Sequence, residues 1–177
     1  MTNRTAVART LACCVAAGAF CLATDALGQQ KQKVSYKVGA GDSKYTQRHV
    51  LEGGDEAGHT IVAFEIHRKF GADAPSIAGA RLKETWSRGY GDYIDNNGIS
   101  TNYTTYVMDN GDKFFALSRT MGQADAAGRR TTVAVGEIRG GTGTLAGIKG
   151  MVRSKGVSDG KAGYNEQSSE IEYWLPK

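Results

Sequence analysis

Residues 99–120 read ISTNYTTYVMDNGDKFFALSRT. Two runs rich in β-branched and aromatic residues, 99–108 and 113–120, flank Asp109-Asn110-Gly111-Asp112. Such runs suit a pleated surface, and Asn-Gly accepts the positive φ angles of a two-residue hairpin turn. The stretch therefore predicts an antiparallel hairpin. Outward from it the same grammar repeats, with strands predicted at 33–38, 45–51, 60–68, 78–90, 130–139, 144–155 and 163–175. Gly53-Gly54, Asn96-Asn97-Gly98 and Ser158-Asp159-Gly160 mark longer connections, and no helical periodicity interrupts the series. The 24 glycines against 2 prolines fit strands that bend and approach closely, since proline would break ladder hydrogen bonds. Consecutive antiparallel strands hide their edges by closing. Several exceed ten residues, which favours a strongly coiled barrel over a sandwich. The expectation is an all-β fold: a closed antiparallel eight-stranded, calycin-like β-barrel.

The first residues read as a secretory signal peptide. Arg4 and Arg9 precede an uncharged apolar stretch from 11 to 23, and Ala26-Leu27-Gly28 follows it as a small-x-small cleavage pattern. The stretch is shorter than the roughly 20 residues a bilayer span requires, so no stable membrane anchor is expected. Phe20 before Cys21 is too large for a lipobox. Two units follow: a signal peptide over 1–28, and a single barrel domain over 29–177 that is secreted or periplasmic. Cleavage leaves 149 residues, 20 basic and 17 acidic, and removes Cys13, Cys14 and Cys21. The mature chain would hold no thiol nucleophile and no thiolate-bound metal. No basic run exceeds Arg129-Arg130, which argues against nucleic-acid binding.

The segment 135–155, VGEIRGGTGTLAGIKGMVRSK, runs from a strand through Gly140-Gly141-Thr142-Gly143 to Leu145, Gly147, Ile148 and Gly150. It resembles the GG-(T/S)-G-x-(F/L)-x-G-(V/I)-x-G signature of the allene oxide cyclase and dirigent barrel superfamily. Residues 170–175, EIEYWL, look like the closing strand of those barrels. The resemblance implies an eight-stranded barrel and a trimer formed through barrel exteriors. It does not carry over the cyclase site, because the mature chain lacks the cysteine and the Pro-Phe segment of the plant enzymes. The glycines themselves are read as turn and close-approach positions. A phosphate loop would need a following helix.

Alternation along 78–90 puts Ala80, Leu82, Glu84, Trp86, Arg88 and Tyr90 on one side and Arg81, Lys83, Thr85 and Ser87 on the other. The first set is the more apolar and is expected to face the lumen. Leu82, Glu84, Trp86, Arg88 and Tyr90 are thus the expected ligand-binding face. Glu84 and Arg88 could pair across one turn of the pleat, or an unpaired Glu84, its pKa raised by desolvation, could serve as the catalytic acid or base. His67 is expected to look outward with Ile61, Ala63 and Glu65, opposite Val62, Phe64 and Ile66. No histidine pair has ligand spacing, and Tyr93 stands where a calcium loop needs aspartate, so neither metal nor cofactor is expected. No G-x-S-x-G elbow occurs. Three functions are open at this point: a barrel binding a small apolar or amphipathic molecule, an isomerase or cyclase acting on a hydrophobic intermediate, and a structural barrel with a packed lumen.

Overall fold

The computed structural model describes residues 30–159 and 161–176. The expected signal peptide lies outside the described residues. Ten strands follow one another, with two short 3₁₀ turns between them: β1 (Gln32–Val38), β2 (Ser43–Glu52), β3 (His59–Lys69), β4 (Ser76–Ile77), β5 (Ala80–Ile94), β6 (Asn97–Met108), β7 (Lys113–Ala124), β8 (Arg130–Gly141), β9 (Lys149–Asp159) and β10 (Tyr164–Trp174). Every pairing is antiparallel, in the order β1-β10-β9-β8-β7-β6-β5-β3-β2, with β4 as a flap on β5. The sheet curls into a half-barrel of nine strands.

The closed eight-stranded ladder expected from sequence is not what forms. Among the described residues no ladder joins β1 to β2, so the hydrogen-bonded path stays open. The reason is the 3₁₀ turn Ala40–Asp42, which divides one strand position between two short partners. β1 pairs with β10 up to Val38↔Gln167, and β2 takes up pairing with β3 from Ser43↔Arg68. Beyond Gln167, side chains bridge the gap between β10 and the β2–β3 pair. Asn165 of β10 accepts from Ser43 Oγ (3.3 Å) and from Arg68 Nη2 (2.8 Å).

The turns follow local chemistry, with one exchange. The two-residue hairpin turn is Asp95-Asn96, both at positive φ (50° and 63°), as such a turn requires. Asp109-Asn110-Gly111-Asp112 makes a longer turn in which Met108 N bonds Asp112 O at 2.8 Å. Gly150 lies so close to β10 that a β-carbon there would overlap the Glu172 carbonyl, which agrees with a close-approach role for that signature glycine.

The inner face changes character along the barrel axis. On β6 it reads Ser100, Asn102, Thr104, then Tyr106 and Met108; on β7, Thr120, Ser118, then Ala116 and Phe114; on β10, Asn165, Gln167, Ser169, then Ile171 and Tyr173. The apolar ends meet in a packed plug that includes Ile77 of β4 and Leu145 and Ile148 of the β8–β9 connection, all at or near zero exposure. Burying such side chains stabilises by about 1.5–3 kcal/mol each. The plug closes one end, and the other remains polar and open.

Candidate functional site

Above the plug lies a cavity of about 140 Å³. One wall is apolar, formed by Val62, Phe64 and Ile66 of β3, and Ala116 and Val152 also line the cavity; hydroxyl and amide groups make up much of the rest. The inward placement of Val62 and Ile66 agrees with the alternation read from β3. The next inward residue of that strand is Arg68, only 7% exposed. Arg68 Nη1 donates to Ser87 Oγ (3.2 Å) and Nη2 to Asn165 Oδ1 (2.8 Å), while buried Nε has no partner. None of the ion pairs among the described residues includes Arg68. Burial pulls its pKa down, yet a guanidinium stays charged. This is a cation in a protein interior, held by two neutral acceptors. Such a group costs several kcal/mol of desolvation.

Two phenols belong to the same layer. Burial raises the pKa of Tyr36 and pushes that of Tyr106 well above the ordinary phenol range. Both hydroxyls therefore stay protonated at neutral pH. Tyr106 is held flat against Phe114, with ring centroids 4.1 Å apart. At the open end Arg130 lies over the Tyr93 ring (4.1 Å) and donates from Nη2 to Gly98 O (2.8 Å), and its buried Nε is also unpartnered. A β-carbon on Gly122 would overlap this guanidinium, and one on Gly91 would overlap the Tyr93 ring. Arg48 adds a third cation. Among the described residues the cavity wall carries one carboxylate, Glu166, which accepts from Tyr164 Oη at 2.9 Å.

The expected lumen face of β5 turns out differently. Leu82 points inward and is 1% exposed, as a member of the plug. Glu84, Trp86, Arg88 and Tyr90 lie on the outer face, and Thr85, Ser87, Gly91 and Tyr93 point inward. The cause is a β-bulge. The β5–β6 register jumps between Leu82↔Met108 and Glu84↔Val107, leaving Lys83 unpaired and reversing the alternation beyond it. On the outside the His67 ring stacks on Trp86 at 4.0 Å, His67 Nε2 bonds Glu84 Oε2 at 2.8 Å, and Arg88 Nε meets Glu65 Oε2 at 2.7 Å. The Glu84–Arg88 pair does not form. The His67 hydrogen bond holds the Glu84 carboxyl below its usual pKa, the reverse of what a desolvated general acid needs. Tyr90 is 61% exposed.

The residue that sequence reasoning missed is Arg68. Its signal was present: it continues the inward series Val62, Phe64, Ile66. The charge argued for solvent, and only the polar lumen makes an inward arginine tolerable.

No protein-family model and no curated protein sequence matches the chain. Among solved structures it is similar to a pterocarpan synthase dirigent protein, at 17% identity over 84% of this chain and 90% of that one, with a TM-score of 0.51. A second similarity, to pyocyanin demethylase, has 19% identity over 79% of this chain and 99% of that one, with a TM-score of 0.41. The dirigent likeness establishes a β-barrel fold of the dirigent-like kind.

Proposed function

We propose that the protein binds a small amphipathic molecule in the polar half of its lumen. The observation that carries this reading is Arg68, a buried cation with an unpartnered donor on the wall of an open cavity. Buried polar groups are nearly always satisfied, and an exception beside a cavity points to a ligand that completes the set. A cavity of about 150 Å³ admits one benzene ring, so the 140 Å³ here suits a molecule about one ring in size. The apolar β3 wall would take its ring or chain, and the hydroxyl-lined walls its polar groups. This narrows the apolar or amphipathic ligand expected from sequence to the amphipathic one.

Binding is favoured over turnover because the one carboxylate on the cavity wall among the described residues, Glu166, is engaged at the rim with Tyr164. The allene oxide cyclase resemblance accordingly contributes a barrel and no reaction. The test is mass spectrometry of protein from its native compartment, intact and then after solvent extraction. A stoichiometric small molecule is expected, and its loss in Ala134→Phe, which fills the cavity, assigns it to the lumen. Clean apo protein under all growth conditions would overturn the reading and favour a purely structural barrel.

Export and self-association are part of the same proposal. Cleavage after Gly28 would be read directly by N-terminal sequencing of secreted or periplasmic material. Exposed Tyr90, Ile99, Tyr103, Met121, Val133 and Val135, on strands β5 to β8, support a homo-oligomer through the exterior. Sedimentation showing only monomer at high concentration would remove that part.

A further inference from the structure

Arg68 has five N–H donors in a planar fork, and its two protein partners, Ser87 Oγ and Asn165 Oδ1, are neutral. These partners are themselves held. Ser87 Oγ lies 2.9 Å from Thr104 Oγ1, and Asn165 Nδ2 donates to Tyr45 Oη at 3.4 Å. The fork is therefore fixed in orientation while its charge is left without a counterion among the described residues. Around it stand Tyr36 and Tyr106, both protonated donors. Further out, Arg48 and Arg130 line the same cavity against the single carboxylate of Glu166. A cleft walled by one sign of charge draws in ligands of the other.

Resting on the lumen reading, we infer that the ligand carries an oxyanion, and that this oxyanion sits against the Arg68 guanidinium at the inner end of the cavity. A carboxylate on a single ring or short chain is the class that fits, because its two coplanar oxygens match the guanidinium fork. A remaining lone pair would accept from the Tyr36 hydroxyl, which itself accepts from Tyr106. The apolar part then lies along Val62, Phe64 and Ile66, and Arg130 on Tyr93 stands at the entrance. A neutral polar ligand would leave the buried cation uncompensated. An apolar one would add to its isolation.

The experiment uses benzoate and benzamide as probes, equal in shape and different in charge. Each is titrated into the full-length mature protein while the Arg68 Nε–H resonance is followed by NMR and affinity by calorimetry. Benzoate is expected to shift that resonance and to bind at least about tenfold more tightly than benzamide, 1.4 kcal/mol in free energy. Arg68→Gln is expected to remove the preference. Arg68→Lys, which keeps the charge without the fork, is expected to retain part of it, and it serves if the glutamine variant fails to fold. Benzamide binding as tightly as benzoate, or a preference unchanged in Arg68→Gln, would overturn the anion and leave lumen binding standing. Binding of neither probe would overturn the anion too. The extraction experiment would then decide the lumen reading separately.

Discussion

Substituting Arg68 by methionine removes the guanidinium and leaves an apolar chain able to lie along Ile66 and Tyr106. Two charge-assisted hydrogen bonds disappear, each contributing about 1.5–3 kcal/mol. Against this, the several kcal/mol of desolvation carried by an unpaired buried cation is relieved. The orphaned Nε, itself costing about 1–3 kcal/mol, goes with it. The former partners are not stranded, because Ser87 keeps Thr104 and Asn165 keeps Ser43 and Tyr45. Taken at the middle of each range the terms nearly cancel, and the expected change lies between none and a gain of about 3 kcal/mol. For a domain of this size that corresponds to a Tm rise of between zero and about 10 °C. Urea denaturation and calorimetry of ligand-free protein read it directly. A loss of more than about 2 kcal/mol would refute the reasoning. It would mean that Arg68 serves chiefly as a clamp between β3 and β10 across the open seam, and a clamp needs no ligand to explain it.

Three further outcomes follow from the same geometry. Deleting Lys83 removes the bulge of β5 and leaves Leu82, Glu84 and Thr85 in plain alternation, with Leu82 and Thr85 both still inward. The expected cost in chemical denaturation is that of the lost Phe70 N–Lys83 O bond, about 1 kcal/mol, and an unfolded variant would count against the bulge as the cause of the reversed faces. Glu84→Gln, on the outer face and bonded to His67 at 2.8 Å, is expected to leave lumen binding unchanged in calorimetry. His59 bonds Asp55 and Asp92, which raise its pKa, the Asp55 hydrogen bond most, while that bond lowers the Asp55 pKa. The His59 contribution is full below the unfolded pKa of about 6.5 and fades as pH rises through the higher folded value. The Asp55 contribution is present above its unfolded pKa and fades as pH falls through the lower folded one. Hydrogen exchange in the 53–58 connection should therefore be slowest between the two folded values, and Asp55→Asn should bring the His59 titration down. A His59 midpoint indifferent to Asp55→Asn would count against the tether.

Strand positions were legible almost throughout, because β-branched and aromatic runs broken by glycine, asparagine and aspartate specify extended segments locally. The elements that escaped are those with little local signal. Two-residue β4 is held by pairing with β5, and Thr144 and Leu145, read as the start of a strand, belong to the 3₁₀ turn Gly143–Leu145, whose Leu145 is buried in the plug. The candidate site fared worse for two separable reasons. Polarity was taken to mark the outside of β5, whereas Thr85 and Ser87 sit inside at 3% and 7% exposure, where the hydroxyl-lined half of the lumen receives them. Alternation was also carried through Lys83, where the bulge reverses it.

A chain of strands can be read residue by residue because each residue's preference for the pleat is largely its own. Which face of a strand looks inward is not such a property. It is set by the partner's register, here by the mismatch of β5 with β6 at Lys83, and one inserted residue exchanges both faces beyond it. Nor can a local reading tell that Ser100, Thr120, Asn165 and Arg68 converge. They come from β6, β7, β10 and β3, and only the curl of the sheet, the plug beneath and the 3₁₀ break between β1 and β2 bring them around one cavity.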